Sequence, residues 1–194
     1  LTAGQQERSC SVCGKKEISA TAKLKATIEM NVSGTIPLKR KQTFNVKVTT
    51  GKGDKVVSWK SSNKKVVSVS KNGKIKGLKA GKTATITVQL QSGLKASFKV
   101  KVQKKAVATK SIKVTNASTG KNVGKKFTMK AKGTLKLAAA VSPVTSKQKV
   151  TYSSSNKKVA TVTSKGVVKA KKKGKVTITV KSGKKSYKIK ITVK

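Results

Sequence analysis

The chain has 194 residues, is 35% hydrophobic and carries 48 Lys and Arg against four Asp and Glu, a formal net charge of +44 with no His. Without His, and with its few acids scattered, it can assemble neither a Ser-His-Asp or Cys-His set nor the paired carboxylates of a glycosidase. Calcium sites built from clustered carboxylates are excluded on the same ground, and no apolar run reaches the roughly eighteen residues of a membrane-crossing helix.

Residues 1–22 form an N-terminal segment holding the only cysteines, Cys10-Ser11-Val12-Cys13. With no His and no other Cys, zinc would need ligands from outside the chain. Cys10 and Cys13 are the candidates for a local disulfide in an oxidising compartment, with half of a shared zinc site as the alternative. No resident metal or cofactor is expected.

Residues 23–104 read as a first domain. Phe44–Val48, Ala84–Val88 and Phe98–Val102 alternate apolar and polar residues, the pattern of strands with one buried face. Turn signals separate them at Gly51-Lys52-Gly53-Asp54, Lys71-Asn72-Gly73, Gly81 and Ser92-Gly93. Lys104 to Lys110 contains no Gly or Pro, which predicts a short, semi-stiff junction. Residues 105–194 read as a second domain with strands at Leu137–Val141, Val176–Val180 and Ile189–Val193, and turns at Ser142-Pro143, Gly166, Gly174 and Ser182-Gly183. Many short alternating strands at this spacing, with no helical period, indicate sandwiches or barrels.

The two domains repeat one text. Ser58–Val66, SWKSSNKKV, recurs as Thr151–Val159, TYSSSNKKV, and the match continues through Val69/Val162, Gly73/Gly166, Ile75/Val168, Gly81/Gly174 and Val88/Val180. A self-match at such a period denotes tandem copies of one module. Trp59 to Val69, Gly73 to Leu78 and Gly81 to Val88, with their counterparts Tyr152 to Val162, Gly166 to Ala170 and Gly174 to Val180, resemble the bacterial immunoglobulin-like domain, group 2. That family occurs in strings in intimin- and invasin-type and Gram-positive surface proteins. The resemblance implies seven-stranded β-sandwiches that are extracellular and non-enzymatic and serve as spacers or adhesive modules. The expectation is an all-β chain, two tandem immunoglobulin-like β-sandwiches in an elongated arrangement. It is read as a monomeric segment of a longer secreted bacterial protein, extracellular or at the cell surface.

The repeated residues read mainly as folding instructions. Trp59 and Tyr152 are expected to fill the cores rather than stack on sugars. The Ser-Ser-Asn triplets at 61–63 and 154–156 are expected to fix turns through side-chain bonds to backbone. Ser61-x-x-Lys64 and Ser154-x-x-Lys157 match an acyl-enzyme motif, a coincidence expected in a chain so rich in lysine.

Charge carries the functional reading. The acids are Glu7, Glu17, Glu29 and Asp54, the arginines are Arg8 and Arg40, and the remaining basic residues are lysines. Lysine on strands gives solubility and discourages edge pairing, but that does not explain the missing carboxylates. Lys99, Lys101, Lys171, Lys172, Lys173, Lys188 and Lys190 are the candidates for binding a polyanion. Anionic cell-wall or host polysaccharides, such as teichoic acids or acidic glycans, are the expected partners. Nucleic acid would bind such a surface non-specifically in vitro, but a native nucleic-acid role lacks the arginines and interleaved aromatics of true readers. The alternatives are a stalk without ligand and a specific protein or glycan adhesin.

Overall fold

A computed structural model describes residues 5–9, 11–13, 16–20 and 26–194. The described residues contain strands and turns but no helix. β1 (Gln5–Ser9) and β2 (Lys16–Ala20) pair antiparallel. The chain divides into two compact units, residues 1–105 and 106–194.

The first unit continues with β3 (Ile28–Met30), β4 (Thr35–Lys39), β5 (Thr43–Asn45), β6 (Val48–Thr50), β7 (Val56–Ser61), β8 (Val67–Val69), β9 (Lys74–Gly77), β10 (Thr83–Leu90) and β11 (Lys95–Gln103). One layer is the sheet β4-β11-β10-β7, and the other consists of β3-β6 and β5-β9-β8. The second unit holds β12 (Ser111–Asn116), β13 (Lys126–Met129), β14 (Thr134–Ser142), β15 (Val150–Ser154), β16 (Ala160–Val162), β17 (Val167–Ala170), β18 (Gly174–Ser182) and β19 (Lys185–Val193). Its sheets are β13-β19-β18-β15 and β12-β14-β17-β16.

Period-two alternation builds both cores. In β10, Ala84, Ile86, Val88 and Leu90 are buried while Thr85, Thr87 and Gln89 face outward. β11 buries Phe98, Val100 and Val102 and exposes Lys99 and Lys101. In the second unit Val176, Ile178, Val180, Ile189, Ile191 and Val193 belong to one cluster with Leu135, Leu137 and Val168 from the opposite sheet. Each such aliphatic side chain contributes about 1.5–3 kcal/mol on removal from water.

The strands number more than the expected seven because the first strand of each sandwich divides between layers. β3 pairs with β6 in the first unit and β12 with β14 in the second. The chain then crosses, and β4 and β13 pair in parallel with the last strands, β11 and β19. The expected single strand Phe44–Val48 is also interrupted. Lys47 donates its N–H to the Asn31 side chain at 2.9 Å, and Val46 donates to Gly73 O at 3.0 Å. The equivalent β14 runs unbroken, pairing with β17 and then with β12.

The shared motif performs the same bonding in both units. Ser61 Oγ donates to Val67 O at 2.7 Å and Ser154 Oγ to Ala160 O at 2.6 Å. Asn63 Oδ1 accepts from Lys65 N and Asn156 Oδ1 from Lys158 N, each at 3.0 Å. Ser62 Oγ accepts from Thr85 N and Ser155 Oγ from Thr177 N, each at 2.9 Å. The triplet ends one strand and extends the ladder of its neighbour. Trp59 and Tyr152 are half-buried against their cores. Each lies over a turn glycine: a Cβ on Gly73 would stand 2.7 Å from Trp59 Cζ2, and one on Gly166 3.0 Å from Tyr152 Cζ.

Asp54 is a buried carboxylate of the first unit. It accepts from Ser92 Oγ at 2.6 Å, Ser92 N at 3.2 Å and Lys55 N at 2.9 Å, fastening the β6–β7 turn to the β10–β11 hairpin. The Ser92 hydroxyl bond, partly opposed by burial, lowers its pKa below 3.8. In the second unit a neutral cluster stands before β15. Thr109 Oγ1 meets Ser146 Oγ at 3.0 Å and Ser182 Oγ at 2.9 Å, and Ser182 Oγ donates to Gln148 O at 3.1 Å.

Trp59 is the sole Trp, so its fluorescence follows the first unit selectively. Gly73 has φ +71° and Gly93 has φ +86°, but a Cβ on Gly93 meets nothing within 4 Å. Gly93→Ala is therefore expected to cost about 1–2 kcal/mol through backbone strain alone. Gly73→Ala should cost about 2–5 kcal/mol because overpacking against Trp59 adds to that strain. Urea unfolding followed by Trp59 emission checks the order, and equal costs would contradict the packing account. Asp54 supplies a second expectation. A lowered folded-state pKa stabilises above the unfolded value and is lost as pH falls through the folded one. Below about pH 4 the Trp59-reported urea midpoint should therefore drop in the native chain and drop less in Asp54→Asn. Identical acid slopes would refute it.

Candidate functional site

The outward faces of β13-β19-β18-β15 and β4-β11-β10-β7 carry lysines among Thr and Ser, because alternation that sends aliphatics inward sends these residues out. Strand spacing of about 4.8 Å and a repeat of about 6.7 Å along each strand turn them into a lattice. On the second unit, Lys126 stands opposite Lys190, and Lys190 opposite Thr177. Ser155 continues that row, donating its N–H to Thr177 O at 3.0 Å. In the adjacent row Thr128 stands opposite Thr192, and Thr192 opposite Lys175.

A groove of about 490 Å³ opens here, lined by Lys126, Lys175 and Lys190 with Ser155, Thr177 and Thr192. The three lysines are exposed while Thr177 and Thr192 are half-buried. Ser155 Oγ accepts the Thr177 N–H, a bond that does not use its own O–H donor. Ammonium groups only donate, and residues 106–194 contain no Asp or Glu to neutralise them. The groove therefore presents positive charge and hydroxyl and ammonium hydrogen-bond donors to solvent.

The first unit has a related face. Lys99 stands between Thr35 and Thr85, and Lys101 between Pro37 and Thr83. Its concavity, about 340 Å³, is lined by Lys60, Lys95, Ser58, Ser62, Thr85 and Thr87.

The lysines singled out from the sequence fall into two places. Lys99, Lys101, Lys188 and Lys190 are exposed on β11 and β19, on these outward faces. Lys171, Lys172 and Lys173 are exposed in the connection from β17 to β18, where Lys171 N and Lys172 N donate to Val159 O at 2.8 and 3.4 Å. Of these candidates only Lys190 lines the larger groove. Lys126 and Lys175 were missed. Lys175 could have been found two positions before Thr177 in an alternating strand. Lys126 could not, since only the parallel pairing of β13 with β19 brings it to the face.

Cys13 is exposed in the turn between β1 and β2; Cys10 and the proposed Cys10–Cys13 pairing lie outside the described residues. Among the described residues no group of three or more His, Cys, Asp or Glu could hold a metal. Trp59 and Tyr152 do not line the lysine groove, and burial raises the Tyr152 phenol pKa above 10.0. No helix among the described residues is long and apolar enough to cross a membrane.

A kappa-carrageenase of Pseudoalteromonas carrageenovora is 63% identical over 46 residues, which are 24% of this chain and 12% of the enzyme. The match thus spans a small part of that relative's length. Domains 4 and 5 of the S-layer protein SbsC are 18% identical, with 89% of this chain and 99% of that chain covered and a TM-score of 0.39. An intimin mutant of EHEC O157:H7 is 24% identical over 42% of this chain and 45% of that one, with a TM-score of 0.32. The model of the bacterial Ig-like domain (group 2) matches residues 16–100 and 108–193. The chain belongs to that family, as two tandem, non-catalytic immunoglobulin-like domains.

Proposed function

We propose that this chain is a secreted or cell-surface module that adheres electrostatically to an anionic polymer while holding another domain away from the cell. The observation that carries the reading is the uncompensated charge: every lysine from Lys39 onward is exposed, and residues 106–194 contain no carboxylate side chain. A stalk needing only solubility would do as well with mixed signs and less self-repulsion. Diffuse ammonium charges suit a repeating polyanion better than a single planar ligand, for which arginine forks are the better donors. Teichoic acids and acidic glycans are the favoured partners. The short, strong match to a kappa-carrageenase supports a module carried beside a polysaccharide-active domain. Extracellular placement fits that company.

Titration of the whole chain against teichoic acid, heparin and DNA at several salt concentrations tests the proposal. Binding should be measurable near 50 mM salt and weaken steeply by about 200 mM as counterions are no longer released to advantage. A preference for one polymer at matched charge density supports adhesion. Equal, salt-erased association with all three supports a plain stalk, and no binding at about 50 mM salt removes the adhesive role altogether.

A further inference from the structure

We infer that the groove between β13, β19 and β18 of the second unit is a site for a sulfate ester pendant from a polysaccharide. This rests on the polyanion reading above and deepens it from a diffuse coat to one place.

The two copies of the fold provide the internal comparison. The register makes Lys126 equivalent to Thr35, each opposite the outward lysine of the last strand. It makes Lys190 equivalent to Lys99, each opposite the Thr that bonds the triplet Ser. Lys175 is equivalent to Thr83, each two residues before that Thr. The first unit therefore keeps one of the three lysines. Its outward charges on β11, Lys95, Lys99 and Lys101, lie in file along a single strand, the last two about 6.7 Å apart, and its own concavity gathers only Lys60 and Lys95. In the second unit the three charges come from three different strands and line one concavity. Folding does not require this, because threonine serves at two of the three positions on the same scaffold.

The arrangement selects the shape of the anion. A linear row suits a charge embedded in a chain, such as a phosphodiester, which is tethered on both sides and presents two free oxygens. Three ammonium groups around a concavity suit a half-ester that hangs by one bond and presents three. Ammonium ions as compact point donors impose no planar geometry on it. Ser155 and the threonines Thr177 and Thr192 add hydroxyls that can bond the ester oxygens or the neighbouring ring hydroxyls. Phe127 is the only aromatic lining the groove and is half-buried, so sugar stacking has little to offer. Affinity should then depend on the ester rather than on the sugar.

The test uses the whole chain, a sulfated galactan oligosaccharide, the same oligosaccharide after desulfation, and poly(glycerol phosphate), at about 150 mM salt where diffuse attraction is screened. Amide NMR shifts should concentrate at Ser155, Thr177 and Thr192 and leave Thr85 of the first unit unmoved. K126T/K175T, which gives the groove the first unit's residues, should weaken binding of the sulfated oligosaccharide about tenfold or more. K136T/K169T removes the same charge from exposed strand positions of the opposite sheet and should weaken it less than about threefold. Both pairs place a good strand former on a strand, and matched melting curves check that each variant folds. Equal losses from the two double variants, equal binding of the desulfated oligosaccharide, or tighter binding of poly(glycerol phosphate) would overturn the groove assignment while leaving polyanion adhesion standing. Failure of the native chain to bind any polyanion even at about 50 mM salt would overturn both.

Discussion

A chain of charge +44 can fold only if no lysine is taken out of water, because burying an unpaired ammonium costs more than any aliphatic contact returns. Everything else in this structure depends on meeting that constraint. Strand alternation meets it with little waste: in β10, β11, β18 and β19 one face carries aliphatic or aromatic side chains inward, and the other holds mainly lysine, threonine or serine toward solvent. The hairpins β10–β11 and β18–β19 are the longest expression of this rule. They supply much of each core and, on the reverse side, each lysine face. The core and the candidate site are two sides of the same backbone.

The scarcity of acids leaves its mark on the loops too. In the first unit one carboxylate, Asp54, gathers two backbone N–H groups and a hydroxyl and holds a turn against a hairpin. The second unit, which has no Asp or Glu, closes the corresponding corner with Thr109, Ser146, Gln148 and Ser182. Hydroxyl and amide groups can saturate one another without charge, so the substitution preserves the clasp and removes its sensitivity to acid. Loss of negative charge has thus been compatible with a fully bonded interior, and no buried side-chain N or O among the described residues lacks a partner.

The motif that makes the repeats recognisable and the residues that offer chemistry are different sets. Trp59, Tyr152, Gly73, Gly166 and the Ser-Ser-Asn triplets interlock with one another and with backbone. Their geometry is the same in both copies to within about a tenth of an ångström for the paired bonds at Ser61/Ser154 and Asn63/Asn156. The outward lattice is where the copies differ, as at Thr35/Lys126 and Thr83/Lys175. One residue bridges the two sets. Ser62 and Ser155 accept a backbone bond as part of the fold, and both also line the concavities of the outward faces.

Duplication, sandwich class, most strands and the outward placement of Lys99, Lys101, Lys188 and Lys190 were legible in the sequence, because alternation is a local property and a strand's two faces follow from it. The turn role of Asn63 and Asn156 was legible for the same reason, since it spans two residues. What the sequence left open was long-range. The parallel pairing of β4 with β11 and of β13 with β19 joins segments far apart in the chain, and nothing in the short runs Thr35–Lys39 or Lys126–Met129 announces their partners. The break at Val46–Lys47 depends on Asn31, and the fastening of the first unit on a bond from Asp54 to Ser92. Lys126, Lys175 and Lys190 share a groove only because three strands lie side by side in one register. Their chemical character was determined residue by residue, whereas their convergence was decided by which strands the tertiary fold made neighbours.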